Sequence, residues 1–416
     1  MNAPAPPYDD LPNDPEEIFA CILDWKRRGP NLIRLYHQLR AVAPVWQAPV
    51  ERLGRPWVIT RHADAALVVR NSALVKDERV IGLSGVGEGG PFIEMLRRQF
   101  AFQGPPRHTR LRALVNRGFT SRSVEKLRPG VQAIVDGLLD ELAPRGRMDV
   151  VSDFAARVPV TVICQLLGAP VEDVPRIADW SATFSRRADE GEVLDPEMER
   201  KGDEATTRFA EYVQTLLEAR RAEPADDLLS RLLEVQREAG DLTDEDIVAT
   251  SILLFQAGWE TTANLIGKAT LALARHPEEY ARLGADPGLA ENATEELLRY
   301  DTSVQLTTKF AAEDIPFHDR TIRAGDPVSF VWAAINRDPA RYPDPDRLDL
   351  SRPDIDHYSF GMGAHYCLGA QLARLEIQLA MGTLARRFPG LRLETSEPEY
   401  KTQLHLHGLA SLPVSW

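Results

Sequence analysis

The stretch from Leu242 to Arg275 constrains the fold more than any other part of the chain. It opens Leu242-Thr243-Asp244-Glu245-Asp246, and a threonine followed three residues later by an acid is a capping-box signature. The helical pattern then runs for about thirty residues, so at roughly 1.5 Å per residue the helix spans about 45 Å and can cross the whole molecule. Inside it lies Ala257-Gly258-Trp259-Glu260-Thr261-Thr262. Glycine in a helix interior costs about 1 kcal/mol against alanine. An acid in an apolar run costs more unless it has a partner. Two locally unfavourable residues this close together point to a site rather than scaffolding. Ala257 and Gly258 would let a flat cofactor or dioxygen lie against the helix. Thr261 would bond back to a preceding carbonyl, loosening the helix and opening a groove for water. A kink without chemistry is the plainer reading of the same residues.

A second dense stretch runs from Ser359 to Glu376, Ser-Phe-Gly-Met-Gly-Ala-His-Tyr-Cys-Leu-Gly-Ala-Gln-Leu-Ala-Arg-Leu-Glu. Glycine serves where backbone turns sharply or passes close to something bulky. A cysteine at the mouth of a helix has its thiolate favoured by unpaired N–H groups and the helix dipole. The loop therefore presents a thiolate to a flat, bulky, electrophilic partner. Cys367 alone would more often be a small buried hydrophobe. The spacing Phe360-Gly361-x-Gly363-x-His365-x-Cys367-x-Gly369, followed by Leu372-Ala373-Arg374, resembles the haem-binding signature of the cytochrome P-450 family at every fixed position.

That resemblance implies haem b (iron protoporphyrin IX), with Cys367 as the iron ligand and Phe360, Gly361, His365 and Gly369 against the cofactor. The hexad at Ala257 resembles the family's oxygen-activation motif, with Glu260 and Thr261 as its acid–alcohol pair and Ala257 and Gly258 beside the haem. Pro105-Pro106-Arg107-His108-Thr109-Arg110-Leu111-Arg112 starts another helix. His108 and Arg112 at i, i+4 share a face and make a clamp for a carboxylate; they resemble the family's haem-propionate pair. Gly104 stands where relatives usually carry Asp. Lys309 stands where relatives usually place an arginine for a propionate, keeping the charge but losing the planar fork. Glu296 and Arg299 at i, i+3 resemble a Glu-x-x-Arg motif with a structural rather than catalytic part.

The rest of the chain supplies context. Short strands are expected at Val45–Ala48, Pro56–Ile59, around 320–323 and at Pro327–Trp332, and a hairpin at Leu404–Leu412 whose tip reaches the substrate. Asn71–Pro91 reads as a Gly-rich irregular loop; the resemblance makes Ile81, Leu83, Phe92 and Phe100 substrate contacts, with Trp180 and Phe184 lining a lid around the acidic connector Asp189–Pro196. The expected fold is mainly α with a minor β region, one helix-rich P-450 domain over residues 31–416, with haem between the long helix and the cysteine loop. Residues 1–30 read as a partly extended N-terminal arm.

Composition narrows the function classes. An apolar share of 44% is ample for a large core, and a net charge of −13 argues against non-specific nucleic-acid binding. Cys21, Cys164 and Cys367 are too few and too scattered for a disulfide framework or a multi-Cys zinc site. No basic-then-apolar leader opens the chain, and no uninterrupted run reaches the roughly 18 apolar residues of a membrane span. A soluble cytoplasmic monomer without a membrane anchor is expected. From Pro105 to Pro129 the chain carries Arg107, Arg110, Arg112, Arg117, Arg122, Lys126 and Arg128 against only Glu125. This is either a solvated face or a docking patch for an acidic electron donor.

Taken together, the resemblance implies a haem-dependent monooxygenase. It would insert one atom of O2 into an apolar substrate, with two electrons from a separate ferredoxin or similar donor and its reductase. A peroxide-driven oxygenase of the same fold, or a non-catalytic haem-fold binding domain, are the alternatives; the Glu260-Thr261 pair speaks against the first, and the thiolate and oxygen motif together against the second. Steroid, terpene, fatty acid, macrolide and aromatic substrates all fit.

Overall fold

The computed structural model describes residues 8–28, 31–83, 89–116, 118–189, 196–239, 242–403 and 405–416. Thr243 caps the long helix as its sequence implies: its hydroxyl accepts from the Asp246 N–H, and the Asp246 carboxylate accepts from the Thr243 N–H. This central helix runs unbroken over Asp244–Arg275, and most of its length is buried. A helix buried all round is the axis of a core. Arg157–Leu167, Pro196–Ala222 and Ala370–Arg387 pack around it. One apolar cluster gathers about Ile247, Ile252 and Phe255, and a second about Leu265, Ile266 and Leu273. Cys164 is a core residue, its thiol pushed up to about 12 by burial.

The minor β region lies beside the helices. Five strands pair in the order Trp46–Gln47, Trp57–Ile59, Pro327–Val331, Leu306–Ala311 and Leu74–Val75. The first two form the expected antiparallel pair, and Trp57–Ile59 runs parallel to Pro327–Val331. Leu74 faces Ala311 and Val75 faces Phe310; Lys76 follows directly and is near enough to Lys309 to help lower its pKa. Two buried polar networks lie among the helices and the loops that follow them. Arg299 and Glu296 are fully buried and bonded at 2.7 Å. Lys268, also buried, donates to the Asp301 carboxylate at 2.8 Å.

Three expectations change. The N-terminal arm is partly helical: Asp14 caps Pro15–Leu23, and Ile18, Phe19, Cys21 and Ile22 pack with Leu35 and Leu39 of Leu32–Val42. Pro15 sits in the first helical turn, where its missing N–H does no harm. Asn71–Pro91 is less irregular than its glycines imply. It contains the strand Leu74–Val75, held by a partner some 235 residues away in sequence by its Leu74–Ala311 and Val75–Phe310 pairs, and the short helix Arg79–Leu83. Gly85 and Gly87 lie outside the described residues. At the C-terminus, Glu399–Tyr400 pairs with Leu409–Ser411 as a hairpin, and Val304 bridges Leu406; Leu404 lies outside the described residues. Among the described residues, Val150–Leu167 is the one helical stretch long and apolar enough to cross a membrane, and over half of it is buried inside the molecule.

Candidate active site

The cysteine loop is shaped by two left-handed glycines. Gly361 (φ 66) and Gly363 (φ 78) occupy backbone that L side chains rarely adopt. Between them and the helix, the Cys367 N–H donates to the Phe360 carbonyl at 2.9 Å, and the Tyr366 N–H to the Gly363 carbonyl at 3.0 Å. Gly369 precedes the first turn of Ala370–Arg387 with an ordinary negative φ, so its glycine has another cause. A Cβ added at Gly369, or at Gly361, would meet no protein atom within 4 Å, and both residues line the same cavity. Each lacks a side chain exactly where one would protrude into open space.

That cavity, about 300 Å³, is walled by Ala257, Gly258, Thr261 and Thr262 of the central helix and by Phe360, Gly361, Cys367 and Gly369 of the loop. Cys367 is exposed, but into this enclosure. Burial pushes its thiol up, while the Gly369 N–H and the charges of Arg112 and Arg374 pull the other way. Behind the loop, Arg374 grips Glu295 with two bonds of 2.6 and 2.8 Å and lies over the Phe360 ring.

On the central helix the expected pair separates. Thr261 lines the cavity, and its hydroxyl donates back to the Ala257 carbonyl at 2.9 Å. The helix nevertheless continues through this point without a break. Glu260 is buried and is not among the cavity-lining residues; its Oε1 accepts from Lys401 Nζ at 3.2 Å. Neighbours on a helix point about 100° apart, and of these two Glu260 is the one that faces away from the cavity. Gly258 lines the cavity, yet the side chain it lacks would come within 3.0 Å of Ile163. Close approach of Arg157–Leu167 therefore demands this glycine as much as the cavity does. Trp259 is buried in the core cluster and is not among the lining residues.

Cations gather at the other end. The His108 and His365 rings stack with centroids 4.0 Å apart. Both His108 ring nitrogens are buried without a hydrogen-bond partner, and burial together with Arg112 and Lys76 lowers its pKa. His365 is pushed down to about 2 by burial, then by His108, Lys76, Lys309 and Arg112. Lys309 is buried, donates to the Val69 and Met362 carbonyls at 3.3 Å each, and is brought down to about 8 by burial and by Lys76. Arg112 donates to the Tyr366 carbonyl and lines the cavity.

Sequence reasoning missed Lys76. It lies in no motif, and only the pairing of Leu74–Val75 with Leu306–Ala311 brings it to this cluster. Of the substrate contacts expected from the resemblance, Phe100 lines the cavity. Ile81, Phe92 and Phe184 are core residues instead, with Phe92 and Phe184 packed ring to ring at 4.6 Å. Trp180 packs on Phe209 and Tyr212. Leu83 and the described residues of the C-terminal hairpin are also absent from the lining. Residues 190–195 of the acidic connector lie outside the described residues.

These residues fit haem b. Lys76, Lys309 and Arg112 each help to lower His365, and Lys76 helps to lower Lys309, at one end of a cavity whose one lining carboxyl among the described residues, Glu376, is itself pushed well above the ordinary carboxylate range by burial. A cofactor bearing two carboxylates would complement these cations and would give the unpartnered His108 ring nitrogens a partner. The bare glycines leave room for a flat ring, and the one exposed thiol, Cys367, could serve as a metal ligand.

A family model described as Cytochrome P450 matches residues 93–286 and 288–414. The chain is 39% identical over 388 residues to a vitamin D(3) 25-hydroxylase of Pseudonocardia autotrophica, covering 91% of this chain and 92% of the relative. It is 37% identical over 393 residues to the 6-deoxyerythronolide B hydroxylase of Saccharopolyspora erythraea, covering 92% and 95%. The crystal structure of P450BioI, in complex with an acyl carrier protein ligated to hexadec-9Z-enoic acid, superposes with a TM-score of 0.85 at 33% identity, covering 93% of this chain and 98% of that one. The chain belongs to the cytochrome P450 family, and it is a haem b monooxygenase.

Proposed function

We propose that haem would be held between the Ala257–Thr262 face and the cysteine loop, with Cys367 as iron ligand and Phe360, Gly361 and Gly369 against the cofactor. His108, Arg112, His365 and Lys309 hold the propionates, joined by Lys76. The observation that carries this reading is the joining of one thiol, two bare glycines and a crowd of cations in a single cavity. When bound, haem supplies the iron at which O2 is activated. Thr261 presents its hydroxyl to that space, and Glu260 supplies protons from behind it, which is general acid work at a positioned chain.

The substrate is hydrophobic, in keeping with Phe100, Phe119, Ile163, Leu253, Leu254 and Val304 on the cavity wall. Relatives named as hydroxylases of vitamin D(3) and 6-deoxyerythronolide B support an organic substrate of low polarity. Electrons come from a separate acidic ferredoxin-type donor that docks on the face bearing Arg110, Arg122 and Lys126, all of them exposed. Arg107 is committed to Asp246 and Arg128 to Glu125, so they contribute less to that face; Arg117 lies outside the described residues. The protein works as a cytoplasmic monomer.

Cys367→Ser tests the ligand. It should abolish the red-shifted absorption of the reduced CO complex, and an unchanged spectrum would refute the assignment. In the same preparation of wild-type protein, raising salt should slow reduction by the donor; salt-independent reduction would leave the arginine face as solvated surface.

A further inference from the structure

Trp332 directly follows the strand Pro327–Val331 and is one of the residues that wall the cavity, only 1% exposed to solvent. Residues two apart in extended chain share a face, and the Phe330 ring stacks on the indole with centroids 4.9 Å apart and planes 9° from parallel. Tyr358, from the segment leading into the cysteine loop, also stacks on Trp332, at 5.7 Å and 22°. The indole N–H donates to Thr307 Oγ1 at 2.9 Å, and Thr307 lines the same cavity. Tyr358 is 4% exposed; its hydroxyl bonds to no other described residue, yet it is not among the buried polar atoms left without a partner, so solvent reaches it. Plain packing accounts for a buried ring stack, since Phe330, Trp332 and Tyr358 belong to one apolar cluster. Phenylalanine would serve packing as well. An indole on the cavity side and a phenol on the solvent side add something else, because these are the two rings among side chains that give up an electron most readily. The phenol on the cavity wall, Tyr366, is less suited, since its hydroxyl accepts from Arg374 at 3.3 Å and that charge opposes loss of an electron.

We propose that Trp332 and Tyr358 form an electron path between the cavity and solvent, which discharges the oxidant made from O2 when no substrate is there to take the oxygen atom. Trp332 gives one electron into the cavity. Tyr358 refills the indole with one electron and releases its phenolic proton to water. A soluble thiol then returns a hydrogen atom to the Tyr358 radical. Two such rounds deliver two electrons; with two protons taken up in the cavity the unused oxygen atom leaves as water, and the two thiols end as one disulfide. The proposal rests on the reading that O2 is activated in this cavity, at a cofactor held by Cys367.

The test mixes haem-loaded protein with an aryl peracid, without substrate, and freezes it within milliseconds for electron paramagnetic resonance, with ring-deuterated tyrosine to tell phenoxyl from indole signals. The wild type should show a tyrosyl radical that decays faster as glutathione is added. Tyr358→Phe keeps the stack and should replace that signal by a longer-lived indole radical. Trp332→Phe should remove the Tyr358 signal. Both variants should lose their haem absorption to peracid at least severalfold faster than wild type, and glutathione should protect only the wild type. A tyrosyl signal that survives Tyr358→Phe but disappears in Tyr366→Phe would place the path beside the cysteine loop and overturn the proposal. Variants that melt lower than wild type but keep its radical and its rate of haem loss would show that the stack is core packing alone, and would also overturn it. Failure of the underlying reading is separate: the wild type itself would then lack the red-shifted band of the reduced CO complex.

Discussion

Replacing Glu296 by glutamine removes one charge from a place where water cannot compensate. Glu296 and Arg299 are both 0% exposed. Arg299 Nε and Nη2 donate to the carboxylate at 2.7 and 2.9 Å, and Arg352 Nε donates to both oxygens at 3.1 and 3.2 Å. One carboxylate thus balances two guanidiniums. Arg299 also donates to the Asn336 and Pro345 carbonyls, and Asn336 Nδ2 donates to Ser359 Oγ at the start of the cysteine loop. The network therefore joins the helix Ala290–Tyr300 to the chain at Asn336 and Pro345 and, through Asn336, to the cysteine loop at Ser359. Removing one partner of a buried ion pair costs about 3–5 kcal/mol, because it strands the other charge. With unfolding entropy of roughly 2.1 cal/mol/K per residue over 416 residues, each kcal/mol moves the melting temperature by about 1 °C. Glu296→Gln should therefore melt about 3–6 °C below wild type, followed by circular dichroism on haem-loaded protein. Glu197→Gln is the matched control, since it breaks a pair with Arg200 in which both side chains are 54% exposed; that change should stay under about 1 kcal/mol. Equal melting shifts for the two variants would refute the argument that burial, rather than ion pairing as such, sets the value of the motif.

Two further outcomes follow from the cation cluster and the loop support. Lys76→Met and Lys309→Met should each speed haem transfer to an acceptor apoprotein about 10- to 100-fold, the value of a charge-assisted hydrogen bond of roughly 1.5–3 kcal/mol; unchanged release from Lys76→Met would remove it from the propionate site. Burial alone would raise the Glu295 carboxyl, but Arg374 and His357 overcome this and hold it down to about 2. A depressed carboxylate stabilises the fold above its ordinary range near pH 4.5 and loses that contribution as pH falls through the folded value. The pair should contribute about 3 kcal/mol at most, nearer 2 after allowance for partial exposure. Glu295→Gln should therefore be less stable than wild type near pH 7 and converge with it in acid; a stability gap that persists at the lowest pH would show that the loss is steric.

Motifs carried by a single stretch of chain were legible in sequence. The Thr243 capping box, the glycines at 361 and 363 and the i, i+4 placement of His108 and Arg112 all depend on neighbours within a turn or a loop, where local backbone rules act. The aromatic candidates were not legible. Phe92 and Phe184 have the composition of a substrate wall but pack on each other, and sequence cannot say which side of an apolar residue faces a neighbouring helix and which a cavity.

The sequence by itself determined that a long capped helix must cross the core and that a thiol must stand on a glycine loop at the mouth of another helix. Both follow from short-range spacing. Only the tertiary structure decided that Glu260 turns away from the cavity that Thr261 lines, that Lys401 reaches it and that Lys76 comes near Lys309. Lys401 lies 141 residues from its partner. Such contacts are set by how sheet register and helix packing close the chain on itself, and no local pattern in the chain records them.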